Sequence, residues 1–185
     1  MKKRSIFTLL LGIIAGVLTL FIRPKKVYSP THHHDPTTYP GTTLFIKPGD
    51  LLFSPIGKSE SKYVGHVGIV NNDHKVIHSI PAGLMKDTVA DYFRKFRLIT
   101  IYSPENPTIG VKASDYLEYL YITYPRANYR FFTPLGSLNH EQYCTKIVWQ
   151  SYYFGSGVNL GNHSIKSKAI HPHFLKDLRF LEQRS

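Results

Sequence analysis

Gly65-His66-Val67-Gly68-Ile69-Val70-Asn71-Asn72-Asp73-His74-Lys75-Val76-Ile77-His78-Ser79 is the stretch on which the fold turns. Two β-branched apolar runs flank a polar Asn-Asn-Asp turn, the pattern of an antiparallel hairpin. Register then decides which way its histidines point. A three-residue loop, Asn71 to Asp73, pairs Val70 with His74 and sets His66 directly opposite His78, on one face, with Cβ atoms about 4.5–5.5 Å apart. A loop of two or four residues sends the two histidines to opposite faces, because a one-residue slip inverts a strand. A shared histidine site therefore requires an odd loop. Taken alone, His66 reads as a half-buried strand histidine, and His74 as a solvated turn residue. The neighbouring Gly65 and Gly68 permit close approach of another backbone or a substrate. His78 supplies what a working imidazole needs, a partner that orients its ring.

Outward from the hairpin, Thr43–Ile46, Asp50–Phe53 and Leu98–Tyr102 are further strand-sized runs rich in β-branched or aromatic residues. Ala113–Tyr121 carries Leu117, Leu120 and Tyr121 at helical spacing, and Glu141–Phe154 predicts a longer helix ending at Gly155. Strands without regular strand–helix alternation predict an α+β domain with a small antiparallel sheet, packed against a helix that carries the cysteine near its N-terminal end. A doubly wound parallel sheet does not fit this order.

Cys144 is the single cysteine of the 185-residue chain, which excludes an internal disulfide framework and a Cys-rich zinc site. Asn139 is placed as an N-cap with Gln142 three residues on, so the spacing predicts a helix start near His140 and Cys144 in its first turns. A helix start and a nearby imidazolium both favour thiolate over thiol. Inert packing is the ordinary fate of a lone cysteine followed by Ile147-Val148. Nucleophilic catalysis requires a base in reach of the sulfur and a third group that orients the base. Cys144, His66 and His78 are the minimum set.

The N-terminal region has a different character. Ile6–Ile22 is an uncharged apolar run of 17 residues between Lys-Lys-Arg and Arg-Pro-Lys-Lys, spanning about 26 Å as a helix. Residues 1–26 read as a signal anchor or a signal peptide, which places the rest outside the cytoplasm, membrane-anchored or secreted. Residues 27–42, rich in Pro, Thr and His, read as a linker, and 43–185 as the globular domain. His32-His33-His34-Asp35 carries metal-ligand chemistry, but adjacent residues of a tether seldom close a site. His163, His171 and His173 lack a common zinc-site spacing and read as part of a solvated C-terminal segment. Tyr143, Trp149, Tyr152 and Tyr153 are expected to pack the cysteine helix onto the sheet.

The formal charge of +11 invites a nucleic-acid reading that its distribution weakens. Six of the 23 basic residues lie in the first 26 positions and all 12 acidic ones lie beyond residue 30, which leaves a mildly cationic domain. No aromatic-basic reading motif accompanies it, so no nucleic-acid partner is expected.

Pro48-Gly49-Asp50-Leu51-Leu52-Phe53, Gly65-His66-Val67-Gly68-Ile69-Val70 and Val76-Ile77-His78-Ser79 together resemble the strand block of NlpC-type papain-fold cysteine hydrolases. In the usual members the cysteine precedes that block. Here it follows, in Tyr143-Cys144-Thr145-Lys146-Ile147-Val148, an order that resembles the circularly permuted branch of YiiX/YaeF-like amidases and lecithin retinol acyltransferase-like proteins. The resemblance covers roughly Phe45 to Phe154. It implies a permuted papain-like fold with Cys144 as nucleophile, His66 as general base and His78 as the residue that orients it. Asp50 matches a strand opening and reads as structural. Gly83 to Tyr102 fits a short helix before another strand.

The expected activity is that of an extracytoplasmic thiol hydrolase acting as a monomer on peptide or peptidoglycan amides, through a cysteine acyl-enzyme and without metal or organic cofactor. The membrane is engaged through the N-terminal segment. A lipid-directed acyl hydrolase or acyltransferase and a noncatalytic cell-wall or protein binding module are the competing readings.

Overall fold

The apolar runs assemble into one six-stranded antiparallel sheet in the order β10-β7-β1-β3-β4-β5. Its strands are β1 (Leu51–Ser54), β3 (His66–Val70), β4 (Lys75–Ile80), β5 (Gly83–Thr88), β7 (Thr100–Pro104) and β10 (Leu181–Arg184). Two short pairs lie beside it: β2 (Ile56–Gly57) with β6 (Phe96–Arg97), and β8 (Asn128–Tyr129) running parallel to β9 (Glu141–Gln142). The helices are α1 (Val89–Lys95), α2 (Pro107–Thr123) and α3 (Cys144–Gln150). The structure is a computed structural model that describes residues 37–57 and 65–184. The run Ile6–Ile22 and the His32–His34 tract lie outside the described residues. Among the described residues no helix is long and apolar enough to cross a membrane.

Strand alternation sorts the core into two layers. Leu51, Phe53, Val67, Ile69 and Ile77 project onto one face and pack with Leu117 and Leu120 of α2 and Ile147 and Val148 of α3. Leu52, Val70, Val76 and Ile101 project onto the other and meet Val89 and Tyr92 of α1, with Tyr39 and Ile46. Tyr39 lies in the stretch read as linker, yet it is fully buried and its hydroxyl donates to Asp50 Oδ2 at 2.6 Å. Asp50 also accepts from Ser103 Oγ at 2.5 Å, which ties β1 to β7 and supports its structural reading. Thr43–Ile46, expected as a strand, makes only an isolated bridge between Thr38 and Phe45. Leu44 and Ile46 cap the second layer, while Phe45 is exposed and the segment does not extend the sheet.

The expected helix over Ala113–Tyr121 is the middle of α2, which Asn106 caps and Pro107 opens. The helix over Glu141–Phe154 requires a correction. Glu141–Gln142 is strand, and α3 begins at Cys144 behind Tyr143, whose side chain caps nothing. Asn139 does not cap it, because its side chain accepts from the Glu141 N–H and from Lys146 Nζ. The helix widens to a π turn over Ser151–Ser156 and stops at Gly157 in the left-handed conformation.

The C-terminal segment is also not simply solvated. Leu175 and Leu181 are buried, and β10 pairs with β7 to cover what is otherwise the sheet's open edge.

Candidate active site

The hairpin keeps the parity of its expected loop and shifts its register. Ile69 pairs with Ile77 and Val70 with Val76, Asn71 N–H donates to Lys75 O at 2.8 Å, and His74 takes the left-handed conformation at φ 55°. The turn is therefore Asn72–His74, one residue later on each strand, because the Asn71 side chain accepts the N–H groups of both Asp73 and Lys75. Counting back along the register, His78 faces Gly68 and His66 faces Ile80. The histidines remain on one face but are diagonal neighbours. Their rings still meet, with His66 Nε2 and His78 Nδ1 3.0 Å apart.

Gly68 explains how. A Cβ there would lie 2.6 Å from Val76 Cγ1 and 2.9 Å from the Tyr92 ring. The glycine makes room for a core tyrosine, where the sequence suggests room for a substrate or another backbone. Tyr92 and Phe96 then enclose both imidazoles: His66 stacks on Phe96 at 4.3 Å and 5°, and His78 meets Tyr92 edge-on at 5.2 Å.

A residue that sequence reasoning missed completes the series. His78 Nε2 lies 2.8 Å from Asp87 Oδ2, and both Asp87 oxygens accept from Lys95 Nζ at 2.7 Å. A signal was present. Pro81-Ala82 is a two-residue turn that pairs Ile80 with Gly83, and this register carries Asp87 to the face of His78.

The partners assign the protons. The Asp87 carboxyl is held below its usual range by His78 and Lys95 against an opposing burial effect, so it is an acceptor and His78 Nε2 donates to it. A neutral His78 then presents a bare Nδ1, and His66 Nε2 must donate to that atom. The remaining lone pair of His66 sits on Nδ1. Burial, reinforced by His78, pushes His66 well below the ordinary histidine value, and burial also lowers His78 against the pull of Asp87.

Cys144 approaches from the opposite layer. In an antiparallel ladder alternate N–H groups point the same way, so the Val67 N–H, like that of Asn71, points toward β4. Pairing between β3 and β4 ends at Ile69 and Ile77, and the Val67 N–H bonds instead to Cys144 Sγ. The sulfur occupies the opening between two parting strands, one residue from His66. Tyr129 Oη lies 3.8 Å from Sγ and Thr145 Oγ1 3.9 Å away. Among the described residues no hydrogen bond joins Sγ to either imidazole. Burial raises the thiol above its ordinary value, and the bonds from Tyr129, Thr145 and Val67 only partly offset that rise. The bias toward thiolate expected at a helix start is opposed here by desolvation, which favours the neutral thiol, as burial favours the neutral form of His66.

Lys146, on the next residue but one, is buried, and its Nζ donates to Thr133, Ser137, Asn139 and the Glu141 carbonyl. It anchors the loop that leads into Cys144. Beside His66 lies an open pocket of about 150 Å³, whose lining includes Phe53, Leu98, His171, His173 and Lys176. Tyr143, Trp149 and Tyr152 are core residues and Tyr153 stacks on Trp149, so the helix aromatics pack as expected.

No protein-family model matches the sequence. The chain is 27% identical over 124 residues to an uncharacterized 30.3 kDa protein of Bacillus thuringiensis, and that match spans 60% of this chain and 46% of the relative. The chain therefore spans about half the length of that protein. Among solved structures, its fold is similar to that of the metalloprotein YiiX of Escherichia coli O157:H7, a DUF1105 protein. The TM-score is 0.56 and the identity 17%, over 75% of this chain and 96% of the other. The architecture is thus a mixed α+β fold of the YiiX kind. The expected likeness to YiiX-like proteins holds at the level of the fold.

Proposed function

We propose that this protein is a cysteine hydrolase of the permuted papain-like kind, cleaving amide bonds of peptides or peptidoglycan peptides outside the cytoplasm. The observation that carries the reading is the ordered series Asp87, His78, His66, which ends one residue from the amide that holds the Cys144 sulfur. A buried pair of histidines with one carboxylate fixes tautomers along its length, which a packing role does not require.

In the proposed reaction His66 Nδ1 takes the proton of Cys144 Sγ as the sulfur attacks the carbonyl carbon. A C–S bond forms and the carbonyl oxygen gains the charge. As the C–N bond breaks, His66 returns its proton to the departing amine. Water then attacks the thioester, giving one proton to His66 as the C–O bond forms; the C–S bond breaks, the carboxylic acid leaves, and His66 passes that proton to the sulfur, which restores the thiol. His78 holds the positive charge on His66 through the Nε2–Nδ1 bond, with Asp87 behind it. The Cys144 N–H at the helix start and the Tyr129 hydroxyl, 3.8 Å from Sγ, are the donors assigned to the oxyanion.

YiiX is described as a metalloprotein, and the donor set here does not fit a metal. Among the described residues no group of three or more His, Cys, Asp or Glu is placed to hold an ion. Both nitrogens of His78 are engaged by His66 and Asp87. No step of the proposed reaction runs through a metal.

The test is a burst experiment with p-nitrophenyl acetate on the full chain, followed by mass spectrometry and by a digest of purified muropeptides. One acetyl group per chain on Cys144, lost in Cys144→Ala and His66→Ala, and new amino groups from the muropeptides are the expected results. A burst with lipid substrates only would move the reading to an acyl hydrolase or acyltransferase. An unmodified Cys144 would leave a binding module.

A further inference from the structure

The pocket beside His66 has a chemical bias of its own. Its described lining contains no aspartate or glutamate, and on one side it presents Lys176, His171 and His173. The Lys176 ammonium lies over the rings of Phe53 and Tyr102, at 5.1 Å from each, and makes one long bond of 3.4 Å to Thr100 Oγ1. Among the described residues it has no carboxylate partner. The neighbouring Asp177 is turned away, bound to Arg179 and to the Gly161 N–H. Leu98, also in the lining, is 70% exposed and holds the left-handed conformation at φ 52°, unfavourable for a bulky residue and a mark of a constrained position.

We infer that this pocket is an anion subsite, in which Lys176, aided by the His171 and His173 imidazoles, holds a carboxylate or phosphate of the substrate while Leu98 and Phe53 contact its apolar portion. An ammonium set over two aromatic faces, with donor capacity left and no anion of its own, gains a charge-assisted bond when an anion enters. Burial already lowers Lys176 below the ordinary lysine value, so it stands partly desolvated before any ligand arrives. The inference rests on the hydrolase reading through His66, which lines the pocket while Cys144 does not, so the anionic group would lie on the His66 side of the reacting bond. Carboxylate and phosphate share this recognition chemistry, and the experiment separates them.

The binding arm uses full-length protein carrying Cys144→Ala, so that it does not depend on turnover. Acetate and inorganic phosphate are titrated separately while the ring signals of His171 and His173 are followed by NMR. Saturable shifts with at least one anion are expected, weakened about tenfold or more in Lys176→Met and retained in Lys176→Arg. The tighter anion identifies the group. Absence of saturable shifts, or equal shifts in Lys176→Met protein whose circular dichroism is unchanged, would overturn the subsite. The turnover arm compares peptide amides that differ by Glu against Gln beside the cleaved bond. Preference for Glu, lost in Lys176→Met, is expected, and equal kcat/KM for both overturns the substrate assignment. An enzyme that binds anions yet cleaves neither peptide would retain the subsite and refute the hydrolase reading.

Discussion

His66 Nε2 lies 3.0 Å from His78 Nδ1 although neither residue is the other's cross-strand partner. Gly68, the residue that faces His78, leaves room for the Tyr92 ring, and Tyr92 and Phe96 pack on both imidazoles from the same layer. The bond is directional. Asp87 takes one proton of His78, which turns the other nitrogen into an acceptor and fixes the proton of His66 in turn.

Replacing Asp87 by Asn tests that chain of assignments. An amide can donate to His78 Nε2 and lets the opposite tautomer form, which reverses the polarity of the next bond. A fall in kcat of about tenfold to a hundredfold, with KM nearly unchanged, is the expected result for a partner acting through a working histidine. Nitrogen NMR of the rings checks the cause, since His78 must change tautomer. Unchanged kcat together with an unchanged tautomer would remove Asp87 from the positioning set.

The thiol and the base also make a joint prediction. With Cys144 raised and His66 lowered, alkylation by iodoacetamide should rise with a midpoint above the ~8.5 of free cysteine and show no plateau at low pH. A preformed thiolate–imidazolium pair would give the plateau. His66→Ala should leave the alkylation midpoint close to that of the unaltered protein and reduce acyl transfer by about 10²–10⁴-fold. An acidic limb of kcat/KM below pH ~6.5 completes the expectation, because His66 must be neutral to accept a proton. A low-pH alkylation plateau would sink the neutral-pair mechanism.

Much of this was legible in the residues. Strands at His66–Val70 and around Val76–Ser79 follow from β-branched runs and a turn signal, and the odd loop puts the two histidines on one face. Which of them oppose was not legible, because the Asn71 side chain takes over part of the turn's hydrogen bonding and moves the loop by one residue. Asn139 and Gln142 mimic a capping box, and only the three-dimensional need of Lys146 for acceptors turns them to another use. Asp87 was within reach of the Pro81-Ala82 turn register, whereas Tyr129 lies on a separate element whose approach to the site depends on packing and is announced by no local spacing.

The buried histidines should set the acid limit of stability. His66 is lowered in the folded chain, so below pH ~6.5 the unfolded chain binds protons that the folded one excludes, and stability falls as pH drops. Each unit of depression corresponds to about 1.4 kcal/mol once both states are protonated. Asp177, lowered to about 2 mainly by Arg179, acts in a later window: its contribution is complete above the unfolded carboxyl value near ~3.9 and is lost as pH falls toward 2. Urea midpoints measured from pH 7 to 5 should therefore fall in the unaltered protein and fall less in His66→Gln. Parallel curves for the two proteins would show that His66 carries no such linkage.

Lys146 offers a stability test that leaves the proposed reacting groups untouched. Its ammonium is fully buried and binds four oxygens from the loop Thr133 to Glu141. Lys146→Met keeps much of the volume but strands the Glu141 carbonyl and loosens three side-chain acceptors, a loss of about 2–4 kcal/mol in urea unfolding. The sign with pH is opposite to intuition for a bound cation. Burial lowers Lys146 to about 8, so between there and the ordinary lysine value near ~10.4 the folded chain has released a proton that the unfolded chain retains. Stability of the unaltered protein should rise across that interval, and the rise should vanish in Lys146→Met. A methionine variant as stable as the parent at pH 7, with the same alkaline profile, would mean that the four bonds only compensate for burying the charge and do not hold the loop against Cys144.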